Sequence, residues 1–285
     1  MRLIRFYILI FIISYSHIPS LYASSNFSNV HPGGIYVTEI TKAEYNQDLL
    51  IDGQKILKWN KDNKFYLLYG LSYHLKTEQH SFEIKNKDGD VLREIRINIV
   101  QKNFKTQKIN VNKKYTEPTK KILEKIKKDR IKLVKARKIW FENNPDIEFI
   151  LPVKGITTGT FGTKRFYNGT EGNYHNGYDI AADIGTSVVA PSSGKITLTG
   201  NFFYNGKSIF LDHGRGLKSI MIHLDEILVK ENQYVEKGQI IGRVGTTGKS
   251  TGAHLHWSVL VNNTYIDPEL LIDKRTIEHL NLEGS

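Results

Sequence analysis

The stretch Leu255-His256-Trp257-Ser258-Val259-Leu260-Val261 constrains this chain most, because large apolar residues stand at every second position from Leu255. Successive side chains of a strand point to opposite faces, so one face carries Leu255, Trp257, Val259 and Val261 and the other His254, His256 and Ser258. The apolar back locks the backbone in a core while both imidazoles project from the front. Upstream, His175-Asn176-Gly177-Tyr178-Asp179 supplies a third imidazole and a carboxylate four positions apart. In an extended segment those two share a face, although Asn-Gly also signals a turn, and spacing alone leaves both open. Two imidazoles and a carboxylate with one position free is how catalytic zinc is held. For any one of these histidines a hydrogen-bonded structural role is the ordinary reading. The set His175, Asp179, His254 and His256 reads instead as a metal centre with one imidazole to spare.

Two more histidines lie between these motifs. In Ile220-Met221-Ile222-His223-Leu224, alternation predicts that Ile220, Ile222 and Leu224 are buried together and that His223 points the other way. His213, in Leu211-Asp212-His213-Gly214-Arg215-Gly216, sits at a strand end and turn. It suits either a turn-stabilising hydrogen bond or support of a metal ligand from behind. Gly248-Lys249-Ser250 ends like a phosphate-binding loop, but that pattern requires glycine at 243, where this chain has Arg243, and the segment runs into a strand rather than a helix. A nucleotide site is therefore excluded.

Gly177-Tyr178-Asp179-Ile180-Ala181-Ala182, the run 185–191 ending in Ala190-Pro191, Asp212-His213-Gly214, His223-Leu224, the run 235–242, Gly245-Thr246-Thr247-Gly248 and His254-Leu255-His256 together resemble the M23 family of zinc endopeptidases, of the lysostaphin and LytM type. The resemblance covers about residues 150 to 270, and Phe161-Gly162-Thr163-Lys164-Arg165 is similar to the stretch that opens the domain in Gram-negative members. It implies one zinc per chain, bound by His175, Asp179 and His256, with His254 and His223 acting on the reaction. One departure is Met221, which stands where the family carries an aromatic residue; this bears on substrate contact and not on the metal. The implied reaction is hydrolysis of a cross-link or stem-peptide amide of peptidoglycan; we assign His254 as base and His223 to support of the oxyanion or the leaving amine, with the exchanged assignment as the other reading. A zinc so held lowers the pKa of a water to about 7 and polarises the scissile carbonyl. The alternative from another class is a catalytically silent module of the same fold that activates other cell-wall hydrolases. Intact ligands argue against it.

The rest of the chain frames this site. Arg2 and Arg5, the apolar stretch Phe6–Ile13 and the small residues Ala23-Ser24-Ser25 make residues 1–25 a signal peptide, with an uncleaved anchor as the other reading. Export, with the periplasm of a Gram-negative bacterium as the destination, follows from that segment and the resemblance. The absence of cysteine excludes disulfides and thiolate ligands. Over 27–111 the pattern predicts short strands at Gly34–Ile40, Lys55–Trp59, Phe65–Leu71, His80–Ile84 and Val91–Val100, the last two joined by an Asp88-Gly89 turn. His31-Pro32-Gly33-Gly34-Ile35 is similar to the start of the N-terminal domain in some periplasmic members.

Between Gln101 and Ile139 fifteen Lys or Arg face three acidic residues, a net +12 that exceeds the +11 of the whole chain. Ile122, Leu123, Ile126, Leu133, Val134, Trp140 and Phe141 fall at helical spacing between Thr116-Glu117-Pro118 and Asn143-Asn144-Pro145, which predicts an amphipathic helix with its lysines outward. Export disfavours nucleic acid as the partner of this charge and leaves an anionic envelope surface. The expected architecture is mainly β: an N-terminal β-sandwich-like domain (27–111), a basic helical connector (112–145), a C-terminal antiparallel β peptidase domain of the LytM type (146–275) and a tail (276–285). The segment from about 146 onward is expected to be at least as active alone as the mature chain.

Overall fold

A computed structural model describes residues 30–272; the signal-peptide segment and the 276–285 tail lie outside the described residues. Among the described residues no helix is long and apolar enough to cross a membrane. The strands Ile35–Ile40, Lys64–Gly70 and Leu57–Lys61 form one antiparallel sheet in that order, and Gln54–Lys55, Leu50–Ile51, Gln79–Lys85 and Val91–Asn98 form a second. Leu67 of the first sheet packs with Phe82, Ile84 and Ile97 of the second, which makes the expected sandwich. Its other face is also apolar. Leu68, one residue on, turns the opposite way and joins Ile35, Val37, Leu57 and Trp59 in a cluster that contains Trp257, Val259, Val261 and Ile266. The N-terminal half thus covers the apolar back of the His254–Val261 strand, and the two halves share one core.

The main sheet runs Tyr234–Val235, Gly194–Phe202, Gly206–Gly214, Leu217–Ile227, His254–Val261, Tyr178–Ala181, Ile156–Gly159, each neighbouring pair antiparallel. Leu255 and Trp257 point into the shared core as alternation predicts. Register sets Asp179 opposite His256 and Ala181 opposite His254, so the carboxylate and both imidazoles emerge from the same face.

That face is not open throughout. The helix Lys120–Lys138, capped by Thr119, lies over part of it, where Ala136 packs with Phe210, Ile220 and Leu260. It is shorter than predicted: Ile139 has already turned to extended backbone, so Trp140 and Phe141 continue outside it. The helix also corrects the reading of Ile220-Met221-Ile222-His223-Leu224. Ile220 and Ile222 face the helix, whereas Met221 and Leu224 face the shared core. Strict alternation would then send His223 into that core. Its backbone, at φ 65°, breaks the alternation instead.

A further strand, Thr106–Ile109, lies in the 27–111 segment, where the pattern predicts no strand after Val100; it pairs parallel with Lys164–Tyr167, and Asn168 closes the junction by accepting from the Val111 N–H and donating to the Val111 carbonyl. Removing everything before residue 146 would strip away this strand, the helix and the cover of the core. The expectation of an independent C-terminal segment therefore meets a physical obstacle.

Trp59 tests the shared core, being 4% exposed and stacked on Tyr66 at 5.0 Å between ring centroids. Trp59→Ala is expected to lower the unfolding free energy by about 3–5 kcal/mol, with the N-terminal strands and the main sheet melting in one urea transition. An early transition of the N-terminal strands alone would show two separate cores.

Candidate metal centre

His175, Asp179 and His256, all buried, each aim one ligand atom at a common point, and these atoms lie within 4.8 Å of one another. His175 Nε2 is 2.9 Å from Asp179 Oδ1 and 2.9 Å from His256 Nδ1, and His256 Nδ1 is 2.7 Å from the same carboxylate oxygen. The local sequence explains the closeness. A Cβ on Gly177 would lie 2.5 Å from the Trp257 carbonyl oxygen and 2.7 Å from His256 Nε2, so only glycine lets the His175–Asp179 segment approach the strand beside it.

Tautomers follow from the outer partners. The His175 Nδ1–H donates to the Thr160 carbonyl at 2.8 Å, which leaves Nε2 as a lone pair. Ser258 donates its hydroxyl to Asn176 Oδ1, so at His256 it is the ring Nε2–H that donates to Ser258 Oγ, at 2.8 Å, and Nδ1 is the lone pair. Two imidazole lone pairs and a carboxylate oxygen then meet with no proton among them. Such a donor set repels itself unless a cation fills the centre, and a divalent metal that accepts two nitrogens and one oxygen fits it.

Asp179 turns Oδ1 toward the two imidazoles. Its other oxygen is taken by Arg165, whose Nη2 donates at 2.5 Å. Burial also keeps His256 neutral, with a pKa brought down to about 4.

His254 and His223 stand beside this triangle. His254 Nε2 lies 3.9 Å from Asp179 Oδ1, outside the cluster, and its Nδ1–H donates to the Gly252 carbonyl at 2.9 Å. The His223 ring is 4.9 Å from that of His254, and its Nδ1–H donates to the Thr247 carbonyl at 2.8 Å. Burial first, then the neighbouring histidines, bring His223 down to about 3, so the ring rests neutral with Nε2 facing the site. A positive φ in a residue other than glycine costs on the order of 1–3 kcal/mol and persists where the surroundings enforce it. Here it swings an imidazole out of the core and onto the working face.

His213 is not part of the site. It is buried on the core side, donating from Nδ1 to the Ser193 carbonyl and accepting at Nε2 from Ser219, whose oxygen also accepts from the Trp257 indole. It steadies the back of the strand that carries His256. Sequence reasoning gave no role to Thr160, Ser258 or Arg165, although Ser258 is on the histidine face and Arg165 ends the Phe161–Arg165 stretch quoted above. A groove of about 510 Å³ opens beside Asp179, His223 and His254; Lys249 and Tyr167 line it, and so does the segment 107–111.

Known proteins resemble the chain in the region that holds this site. Residues 173–268 match the family described as Peptidase family M23. The domain they form belongs to peptidase family M23. Over 93 residues the chain is 42% identical to the peptidoglycan DD-endopeptidase ShyB of Vibrio cholerae, covering 33% of this chain and 22% of that protein. Over 97 residues it is 43% identical to lysostaphin of Staphylococcus staphylolyticus, covering 33% and 20%. The chain spans about a fifth of the length of these curated relatives. A Pseudomonas aeruginosa crystal structure described as a peptidase M23 superposes with TM-score 0.70 at 27% identity, covering 86% of this chain and 96% of that one. That likeness reaches beyond the domain into the N-terminal half.

Arg165→Met leaves one oxygen of a buried carboxylate without its partner. Removing such an orienting group costs roughly 10–100-fold in metal affinity; a competition titration against a chromophoric chelator should show that loss for a divalent metal. Unchanged affinity would mean that Arg165 does not orient Asp179.

Proposed function

We propose that this chain is a zinc-dependent endopeptidase that hydrolyses peptide cross-links or stem peptides of bacterial peptidoglycan, acting outside the cytoplasm, in the periplasm. The observation that carries the reading is the convergence of three donor atoms, His175 Nε2, Asp179 Oδ1 and His256 Nδ1, at the edge of a groove holding two more imidazoles. Zinc bound there supplies an acidified water and a polarised carbonyl. His175, Asp179 and His256 hold it, and Arg165, Thr160 and Ser258 orient them.

The proton chemistry falls to His254 and His223. With its Nδ1–H committed to Gly252, His254 takes a proton from the attacking water on Nε2 and returns it to the departing amine. His223 has its Nδ1–H committed to Thr247 and is kept neutral by burial, so its Nε2 offers only a lone pair. It orients the incoming water by accepting a hydrogen, which differs from the oxyanion support expected from the resemblance. The reading of a silent activator module lacks support from a donor set this complete.

Mass spectrometry of muropeptides released from purified peptidoglycan tests the reaction, and metal analysis tests the centre. His175→Ala, Asp179→Ala and His256→Ala should lose both zinc and activity. His223→Ala and His254→Ala should keep about one zinc per chain while turnover falls by roughly 10²-fold or more. Loss of zinc in His254→Ala would overturn this division of roles, and a wild-type chain that binds no metal would favour the activator module.

We also propose that the basic helix concentrates the protein on an anionic envelope surface. Among the described residues only Lys125 of its lysines has an ion pair, with Asp129 at 3.1 Å, and the other lysines are exposed. At about 0.15 M salt screening acts over roughly 8 Å, so only a closely apposed surface feels the charge. Replacing Lys121, Lys128, Lys132 and Lys135 with Gln should weaken co-sedimentation with sacculi or anionic vesicles at low salt and leave cleavage of a small soluble peptide unchanged. Equal sedimentation would return the helix to a packing role alone.

A further inference from the structure

Lys249 stands on the wall of the groove that holds His223 and His254. It is half-buried, with its ammonium 3.2 Å from the centroid of the Tyr167 ring and 5.7 Å from that of Tyr204. The backbone around it is fixed: the Lys249 N–H donates to the Tyr204 carbonyl at 2.8 Å, and the Tyr115 hydroxyl donates to the Gly248 carbonyl. Two aromatic faces hold the cation where it is. Yet among the described residues no carboxylate pairs with it, and the charge that acts on it is that of Arg165, another cation.

The groove as a whole repeats this imbalance. Lys108, Arg165 and Lys249 line it against a single carboxylate, Asp179, which is already engaged by Arg165, His175 and His256. An ammonium withdrawn from water without a counter-charge is destabilised, and burial together with Arg165 brings Lys249 down to about 8. A carboxylate arriving with the substrate would supply the missing partner.

Position within the groove says which side of the substrate it serves. The imidazole that returns a proton to the departing amine must lie beside that amine, and Lys249 shares the wall with it. The groove that reaches His256 and Ser258 is lined by Phe202, Phe203, Ile222 and Tyr265, with Arg130 and Arg137 accompanied there by the carboxylate of Asp129.

We propose that Lys249 is a specificity-determining residue that pairs with a free carboxylate on the amine-side residue of the scissile amide. This rests on the endopeptidase reading above and narrows it: the preferred substrate is an amide whose leaving amino acid keeps its α-carboxyl free, and an uncharged amine-side residue such as a bridging glycine is disfavoured.

The test uses the full zinc-loaded chain and two synthetic compounds: an N-acetylated stem peptide joined through its terminal D-Ala carbonyl to an amino acid with a free α-carboxyl, and the same compound with that group as a carboxamide. Wild type should show kcat/KM at least tenfold higher for the carboxylate. Lys249→Met should bring the ratio near unity, and Lys249→Arg, which keeps the charge, should restore most of the preference. Calorimetric binding of both compounds to chelator-treated protein reads the same site without turnover, with the carboxylate several-fold tighter on wild type only. Equal turnover of the two compounds by wild type, or a Lys249→Met variant that slows both alike and binds both as wild type does, overturns the proposal. Preferential binding of the carboxylate with no cleavage of either compound would sink the endopeptidase reading and leave the carboxylate site standing.

Discussion

Everything at the candidate centre depends on the register between two strands. Asp179 faces His256 only because Tyr178 and Ile180 turn inward on one strand as Leu255 and Trp257 do on the other. A slip of one residue would carry every one of these side chains to the opposite face. On the Tyr178–Ala181 strand it would bury a carboxylate in the apolar cluster, and on the His254–Val261 strand it would bury two imidazoles and expose Trp257. The cost of that exchange is what pins the donors together. The hydrophobic back thus specifies the chemistry of the front.

Geometry beyond the register comes from hydrogen bonds that point away from the centre. Thr160, Gly252, Thr247 and Ser258 each engage the far side of one imidazole, so that all four rings turn a lone pair toward the site. Main-chain carbonyls do this at His175, His223 and His254, and such groups cannot be removed by substituting their own residues. At His256 the partner is a hydroxyl, itself steered by Asn176. The orientation of the site is therefore written mostly into backbone positions.

How much of this was legible in the sequence depended on how local the cause was. The polar face of residues 254–258 could be read because a strand's period is a property of the segment itself. His223 reached its expected neighbourhood for a reason that the pattern could not contain. Ile220, Ile222 and Leu224 look alike in sequence, yet the first two meet a helix from residues 120–138 and the third meets the main core, and only a left-handed residue between them reconciles these demands. Arg165 and Lys249 were invisible as site residues because their roles arise from strands that meet only in the fold. His213, in a motif as suggestive as the others, proved to support the back of the sheet through Ser219 and Trp257. The strand at 106–109 was missed for the opposite reason: it is short, polar and lysine-bearing, and its partner strand is in the other half of the chain.

The cluster that joins Leu57, Trp59 and Leu68 to Val259, Val261 and Ile266 also bears on how the chain acquires its shape. As the polypeptide emerges from its N-terminus, the first sheet can close one side with Phe82 and Ile84 almost at once. Its other side must wait until roughly two hundred more residues have been made. Until then a tryptophan and several leucines remain wet on an otherwise finished sheet, and the pairing that covers them spans nearly the whole chain, the kind of non-local contact that makes folding slow. The last strands to be synthesised are the ones that the first strands need, so the same contacts that complete the hydrophobic interior also seat the histidine platform.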